Sequence, residues 1–248
     1  MATGRGCYTI AGGILAAVAV AVGLGAAWWL HEPAGLDRLR SGPPPERWAA
    51  LERQRSAWRE HGLEREIRHR FVPLDGVAVE LQLAVLVSED IDFFGHGAVD
   101  TTAIREALAE WRRGRRLRGA STLSQQLAKN LYLSGERSAW RKLEELRLAW
   151  WLERRLGKRR ILELYLNVVE FGPGLFGAEA AARHYHGVDA DEVDEGQAAG
   201  LAAAIPAPGR DNPGTATRRW KFRQDTILGR MAEAEWLRQR LAQVDAGR

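Results

Sequence analysis

Three stretches of this chain carry residue types at spacings that could do chemistry. In SEDIDFFGH, residues 88–96, Glu89 and Asp90 close the apolar run AVELQLAVLV and are followed by Phe93 and His96. Acidic residues at a helix end facing water are common. Here, however, they sit at the C-terminal end, where the helix macrodipole favours cations, so the placement asks for a reason. Adjacent helical residues diverge by about 100°, so one carboxylate at most faces a given cleft. A catalytic role is one such reason, beside the commoner reading of a solvated helix end. In RGASTLSQQLAKNLYL, residues 118–133, Thr122, Gln125, Gln126 and Lys129 share one helical stripe, and Leu123, Leu127 and Leu131 turn away from it. A solvated face would carry Lys and Glu in i,i+4 pairs. This one offers amides and hydroxyls around a single cation, which a plain solvated face does not explain. In RSAWRKLEELRLAWWLERR, residues 137–155, Arg141 and Glu145 lie one turn apart with the small Ala149 next on their stripe. The plain reading is a surface ion pair worth roughly a few tenths of a kcal/mol. The other is a pair with room beside it for something to approach.

Two further patterns are weaker. GPGLFG at 172–177 fits the glycine spacing of a dinucleotide fingerprint. The preceding ILELYLNVVEF reads as helix, though, and no strand follows to complete a βαβ unit, so these glycines shape a bend. His184 and His186 have no third ligand nearby and read as packing and hydrogen-bonding residues rather than a metal site.

The elements that must hold these groups are helical. Between Gly6 and Leu30 there is no Asp, Glu, Lys, Arg or His. The run is long enough for a spanning helix of about 20 residues, with Trp28 and Trp29 at its edge as an interfacial belt. Residues 1–7 then form a short cytoplasmic start, 8–30 a transmembrane anchor and 31–69 a membrane-proximal stalk broken by Pro43, Pro44 and Pro45, before a domain over 70–248. Within that domain Ile104, Ala107, Leu108 and Trp111 follow helical spacing, with Asp100 or Thr101 as cap. Thr122 with Gln125 has the form of a capping box. Segments 137–156, 158–169, 178–186, 194–204 and 214–243 are helical in pattern, and no run alternates as a strand would. The fold class is mainly α, as one helical globule.

The chain has 248 residues, a net charge of +4 and cations clustered at 112–118, 154–160 and 218–223. Such patches suit polyanions, whether nucleic acid, lipid headgroups or diphosphates, although a solvated helix face is the commoner cause of any one of them. A single cysteine, Cys7, excludes an intrachain disulfide and a thiolate cluster.

Taken in order, EDIDFFGH, RGASTLSQQLAKN, RKLEE, ILELYLN, FGPGLFGAEAAARHY and EGQAAGLAAAIPAP resemble the five-motif pattern of the peptidoglycan glycosyltransferases, family 51, over about residues 70 to 213. The resemblance implies a two-lobed, lysozyme-like helical fold behind a single N-terminal transmembrane helix. It also implies an extracytoplasmic domain at the bacterial inner membrane and polymerisation of lipid II into glycan strands with inversion at the anomeric centre. No S-x-x-K or K-T-G motif is present, so it implies a monofunctional enzyme. By motif position Glu89 matches the general base with Asp90 orienting it, and Glu145 matches a second essential carboxylate acting through Arg141 or a divalent ion. Lys129 and Arg137 match diphosphate-binding cations. Ser121, Thr122, Gln125, Gln126 and Asn130 become substrate-binding groups, with Phe93, His96 and Arg141 beside them. The expected partners are lipid II, the growing strand, membrane lipids and cell-wall synthesis proteins, with no nucleic acid. Mg or Mn is allowed by the resemblance, with no residue set defining its site. Where the family has H-x-G, this chain has His96, Gly97, Ala98, so the turn there is expected to differ.

Two other classes compete. A lysozyme-like muramidase also uses paired carboxylates, but it needs one kept protonated in a dry site. The cations Lys129, Arg137 and Arg141 are expected to push carboxylates toward ionisation instead. A membrane-tethered basic binding module would account for the anchor and the arginines, but gives no reason for the amide stripe.

Overall fold

The computed structural model describes residues 5–114, 121–136 and 138–246. The chain divides into two compact units, Met1–Leu36 and Asp37–Arg248. The first contains helix α1 (Arg5–Leu30), 26 residues and so about 39 Å long at 1.5 Å per residue. Helix is found where an anchor is expected over 8–30. Among the described residues, no helix is long and apolar enough to cross a membrane, and the side chains of the first sixteen residues lie outside the described set.

After the short α2 (Leu36–Leu39), the second unit begins well before the expected domain start at 70. In α3 (Ala49–Glu60), Leu51 and Trp58 are buried, and α3 packs on α6 (Leu123–Tyr132). Trp48, just ahead of it, stacks edge-on against His69 and Phe176 at centroid distances of 4.8 and 5.7 Å. From residue 37 the expected stalk is therefore part of the folded body, and its tryptophans are the reason.

The core forms around α4 (Val79–Glu89), whose residues from Leu81 to Val87 are all buried. That enclosure on every side explains an apolar run with no polar face. Against α4 lies α9 (Glu195–Ala204), capped by a reciprocal Asp194–Gln197 box. Its alanines and Gly200 allow close approach to α10 (Arg218–Glu233): a Cβ at Gly200 would lie 3.0 Å from the Trp220 ring. Helix α5 (Thr101–Arg112) is capped by Asp100, which accepts from the Ala103 amide at 2.8 Å, and it leaves Ile104 and Trp111 exposed. The segments read separately as 137–156 and 158–169 join as α7 (Ala139–Val168), kinked at Gly157, where φ is 74° and ψ 166°. Helices α8 (Ala178–His186) and α11 (Glu235–Ala246) complete the body.

A small sheet was not expected. Strands β1 (Arg68–His69), β2 (Glu170–Gly172) and β3 (Leu175–Phe176) lie in the order β1-β3-β2, with β1 parallel and β2 antiparallel to β3. Two or three residues are too few to reveal alternation. GPGLFG forms the β2–β3 hairpin and its exit. Gly174 has φ +72° with the Trp58 ring pressed onto its Cα, and Gly177 has φ +85°. These glycines serve a bend, as read.

Candidate active site

At the end of α4 the two carboxylates part, because Asp90 leaves the helix with φ −163° and ψ 75°. Asp90 turns toward α6. Its Oδ2 accepts from the Leu123 amide at 2.7 Å and its Oδ1 meets His96 Nε2 at 2.7 Å. An anion unfavourable at the end of one helix thus becomes favourable at the start of another. His96 Nδ1 also faces the Gly97 carbonyl at 2.7 Å. Burial works to lower the His96 pKa, but acceptors at both ring nitrogens, Asp90 foremost, raise it overall. Cationic relief for the α4 terminus comes from Arg230 of α10, which donates to the Val87 carbonyl at 3.2 Å.

Glu89 points elsewhere. Its Oε2 accepts from Gln126 Nε2 at 2.9 Å, and Gln126 Oε1 accepts from the Tyr165 hydroxyl at 3.0 Å. Tyr165 is fully buried and its phenol is held well above its ordinary pKa, so it stays a donor and fixes which way the amide faces. Burial raises the Glu89 pKa. The Gln126 hydrogen bond and the charges of Arg223 and Lys129 pull it down, while Asp90 adds to the rise. The expectation that nearby cations would win at this carboxylate is therefore corrected, because desolvation outweighs them. Glu89, Asp90, Ser121 and Thr122 line one cleft of about 200 Å³, together with Asp100 and Arg230.

The second carboxylate is no surface ion pair. Glu145 is 4% exposed. Arg141 donates to its Oε2 at 3.1 Å, and Lys142 pairs with Oε1 while also reaching Ser121 Oγ at 3.1 Å and Gln125 Oε1 at 3.0 Å. Ala149 is fully buried, so the room expected beside this pair is filled by packing. With both oxygens of Glu145 already on cations, the residues present do not fit a divalent ion there. No group of three His, Cys, Asp or Glu side chains among the described residues is arranged to hold a metal.

The amide stripe differs from an open cradle. Thr122 and Gln125, each 2% exposed, are committed inward. Thr122 Oγ1 and Gln125 Nε2 donate to the Ala98 carbonyl at 3.0 and 2.8 Å, and Thr122 Oγ1 accepts from the Gln125 amide at 3.3 Å. The Gln125 side chain is thereby diverted from the expected capping box. Since it is the backbone carbonyl of Ala98 that is gripped, and Ala98 has an ordinary negative φ, no glycine is needed at that position. Gln126 is half-buried on Glu89, Asn130 is half-buried and Lys129 is exposed one turn further on. Phe93 is fully buried, with Lys158 Nζ 4.3 Å from its ring centroid, and it presents no surface to a ligand. Arg137 lies outside the described residues, as do Arg115, Arg116 and Arg118.

Sequence reasoning missed Lys142, Tyr165, Arg223 and Arg230. Lys142 was legible, being three residues before Glu145 and beside Arg141. Tyr165 reads as core, and Arg223 and Arg230 come from α10, distant in sequence. His184, read as a hydrogen-bonding residue, has its Nδ1 3.0 Å from an Arg68 guanidinium nitrogen. The cluster at 154–160 is mostly satisfied internally: Lys158 pairs with Glu153 at 2.7 Å, Arg159 with Asp75 and Arg160 with Glu163.

Comparison with known proteins adds an independent finding. Residues 56–232 match the Transglycosylase family. The chain is similar to a biosynthetic peptidoglycan transglycosylase of Methylobacillus flagellatus, at 46% identity over 73% of this chain and 75% of that one. It is also similar to proteins of the same name from Nitrosospira multiformis (42%, covering 77% and 83%) and Herminiimonas arsenicoxydans (38%, covering 84% and 86%).

Proposed function

Because the chain belongs to the transglycosylase family of peptidoglycan glycosyltransferases, we propose that it polymerises lipid II with Glu89 as the general base and with cations of α6 and the segment after it receiving the departing diphosphate. The observation that carries this reading is the setting of Glu89: a half-buried carboxylate on a cleft, held by one neutral amide, with its pKa raised by burial. A base works best when its proton affinity approaches the operating pH. Glu89 takes the proton of the acceptor 4-hydroxyl as that oxygen bonds to the donor anomeric carbon from the side opposite the diphosphate. The anomeric C–O bond breaks, its electron pair stays on the diphosphate, and the centre inverts. Lys129 and Arg137 stabilise the charge that develops there. Glu145 holds Arg141 and Lys142 in one geometry. Ser121 stands at the mouth of that network, while Asp90, Thr122, Gln125 and His96 keep the cleft in shape.

The same reading places the catalytic unit as a two-lobed, lysozyme-like body outside the inner membrane, behind an anchor at 8–30 with its start in the cytoplasm. In support, α1 is continuous, its sequence lacks charge from Gly6 to Leu30, and α5 exposes Ile104 and Trp111 beside Arg112 and Arg113, the pattern of a helix lying at a lipid surface. Lipid II, the growing strand and membrane lipids are the partners this requires, with wall-synthesis proteins around them.

The raised proton affinity of Glu89 is the one feature that would equally suit the acid of a muramidase. Purified protein given lipid-linked disaccharide in one reaction and preformed glycan in another separates the two. Polymer from the lipid substrate is expected. Shortening of the glycan with no polymer from lipid II would overturn the proposal.

A further inference from the structure

The last turn of a helix leaves carbonyls without intrahelical partners, commonly closed by a left-handed glycine. Helix α6 ends differently, at Leu133 in extended backbone with φ −105° and ψ 141°. The closure comes from α3. The Arg53 guanidinium donates to the Leu133 carbonyl and reaches the Lys129 carbonyl at 3.4 Å, placing a cation where the α6 dipole favours one. The chain beyond wraps the same side chain: a Cβ at Gly135 would lie 3.3 Å from Arg53 Cδ. Arg53 is half-buried, and burial lowers its pKa, with Glu170 working against that fall and Arg141 adding to it. Arg53 precedes the family match at 56–232, in the stretch whose sequence reads as a stalk.

We propose that Arg53 is a positioning residue for the polymerisation reaction: its clasp on the Lys129 and Leu133 carbonyls fixes the end of α6 and with it where Lys129 stands toward the donor diphosphate. This rests on the functional reading above for the role of Lys129. It makes the membrane-proximal segment part of the catalytic body rather than a spacer.

The test uses full-length protein with Arg53→Ala and Arg53→Lys, read by amide hydrogen exchange over 129–136 and by steady-state kinetics on lipid II. Arg53→Ala is expected to lose protection over 129–136 and to lower kcat/KM about tenfold, the effect of one charge-assisted hydrogen bond, while the acid limb of the pH profile set by Glu89 stays in place. Arg53→Lys, with a cation of different shape, is expected to recover part of both. Unchanged exchange in Arg53→Ala would overturn the clasp, and lost protection with unchanged kcat/KM would overturn its role in the reaction. If Arg53→Ala does not fold, Arg53→Gln, which keeps one amide donor, is read in the same way. A wild type that polymerises nothing, with protection still lost in the variant, would sink the functional reading and leave the clasp standing.

Discussion

Glu89 and Asp90 are neighbours in sequence and opposites in use. Asp90 is consumed by structure, bridging His96 and the first turn of α6, whereas Glu89 faces the cleft and accepts from the neutral amide of Gln126. Its partner Gln126 cannot rotate freely, because the buried Tyr165 hydroxyl holds the amide oxygen. The sign of the pH dependence follows. A base must be ionised, so activity falls as pH drops through its pKa, and burial raises that value. The acid limb of kcat/KM is therefore predicted above the ordinary carboxylate range. Gln126→Leu, which removes a donor that lowers the Glu89 pKa, should move the limb further up, and Tyr165→Phe should move it the same way by less. A limb that stays in place in Gln126→Leu, measured with lipid II across pH, would contradict this arrangement.

Elements set these side chains through a few tight contacts that pattern alone does not reveal. The β2–β3 hairpin is held against α3 by Gly174, whose positive φ and contact with Trp58 leave no space for a side chain. Gly174→Ala is predicted to cost about 1–3 kcal/mol in stability, which thermal unfolding would register as roughly 2–4 °C per kcal/mol; an unchanged Tm would show that α3 does not grip the hairpin. The helices themselves were legible: Asp100 as a cap, the 178–186 and 194–204 segments, and the split of α7 at Gly157 all follow from local chemistry. The strands were not, because two or three residues carry no period. The stalk was misread because buried Trp48 and Trp58 look, in sequence, like any charged amphipathic helix with scattered aromatics. At the site, the roles of Thr122 and Gln125 were reversed from solvent-facing to inward-facing, since a helical wheel gives a stripe but not what covers it. Local spacing could not bring in Arg53, Arg223 or Arg230, which arrive from distant elements.

For the whole molecule, one helical body from residue 37 onward brings Glu89, the buried Glu145 pinned by two cations, and the exposed Lys129 to one helix, α6, whose Gln126 donates to Glu89 while the adjacent Gln125 accepts from Lys142, a partner of Glu145. Family membership supplies the reaction, and this geometry supports the proposed division of labour. The most direct measurement is polymerisation of lipid II by Glu89→Gln at neutral pH, alongside a binding measurement with the same substrate. The account predicts a rate lowered by roughly 10²–10⁴-fold, the usual contribution of a general base, with fold and lipid II binding retained. Polymerisation at the wild-type rate would contradict it.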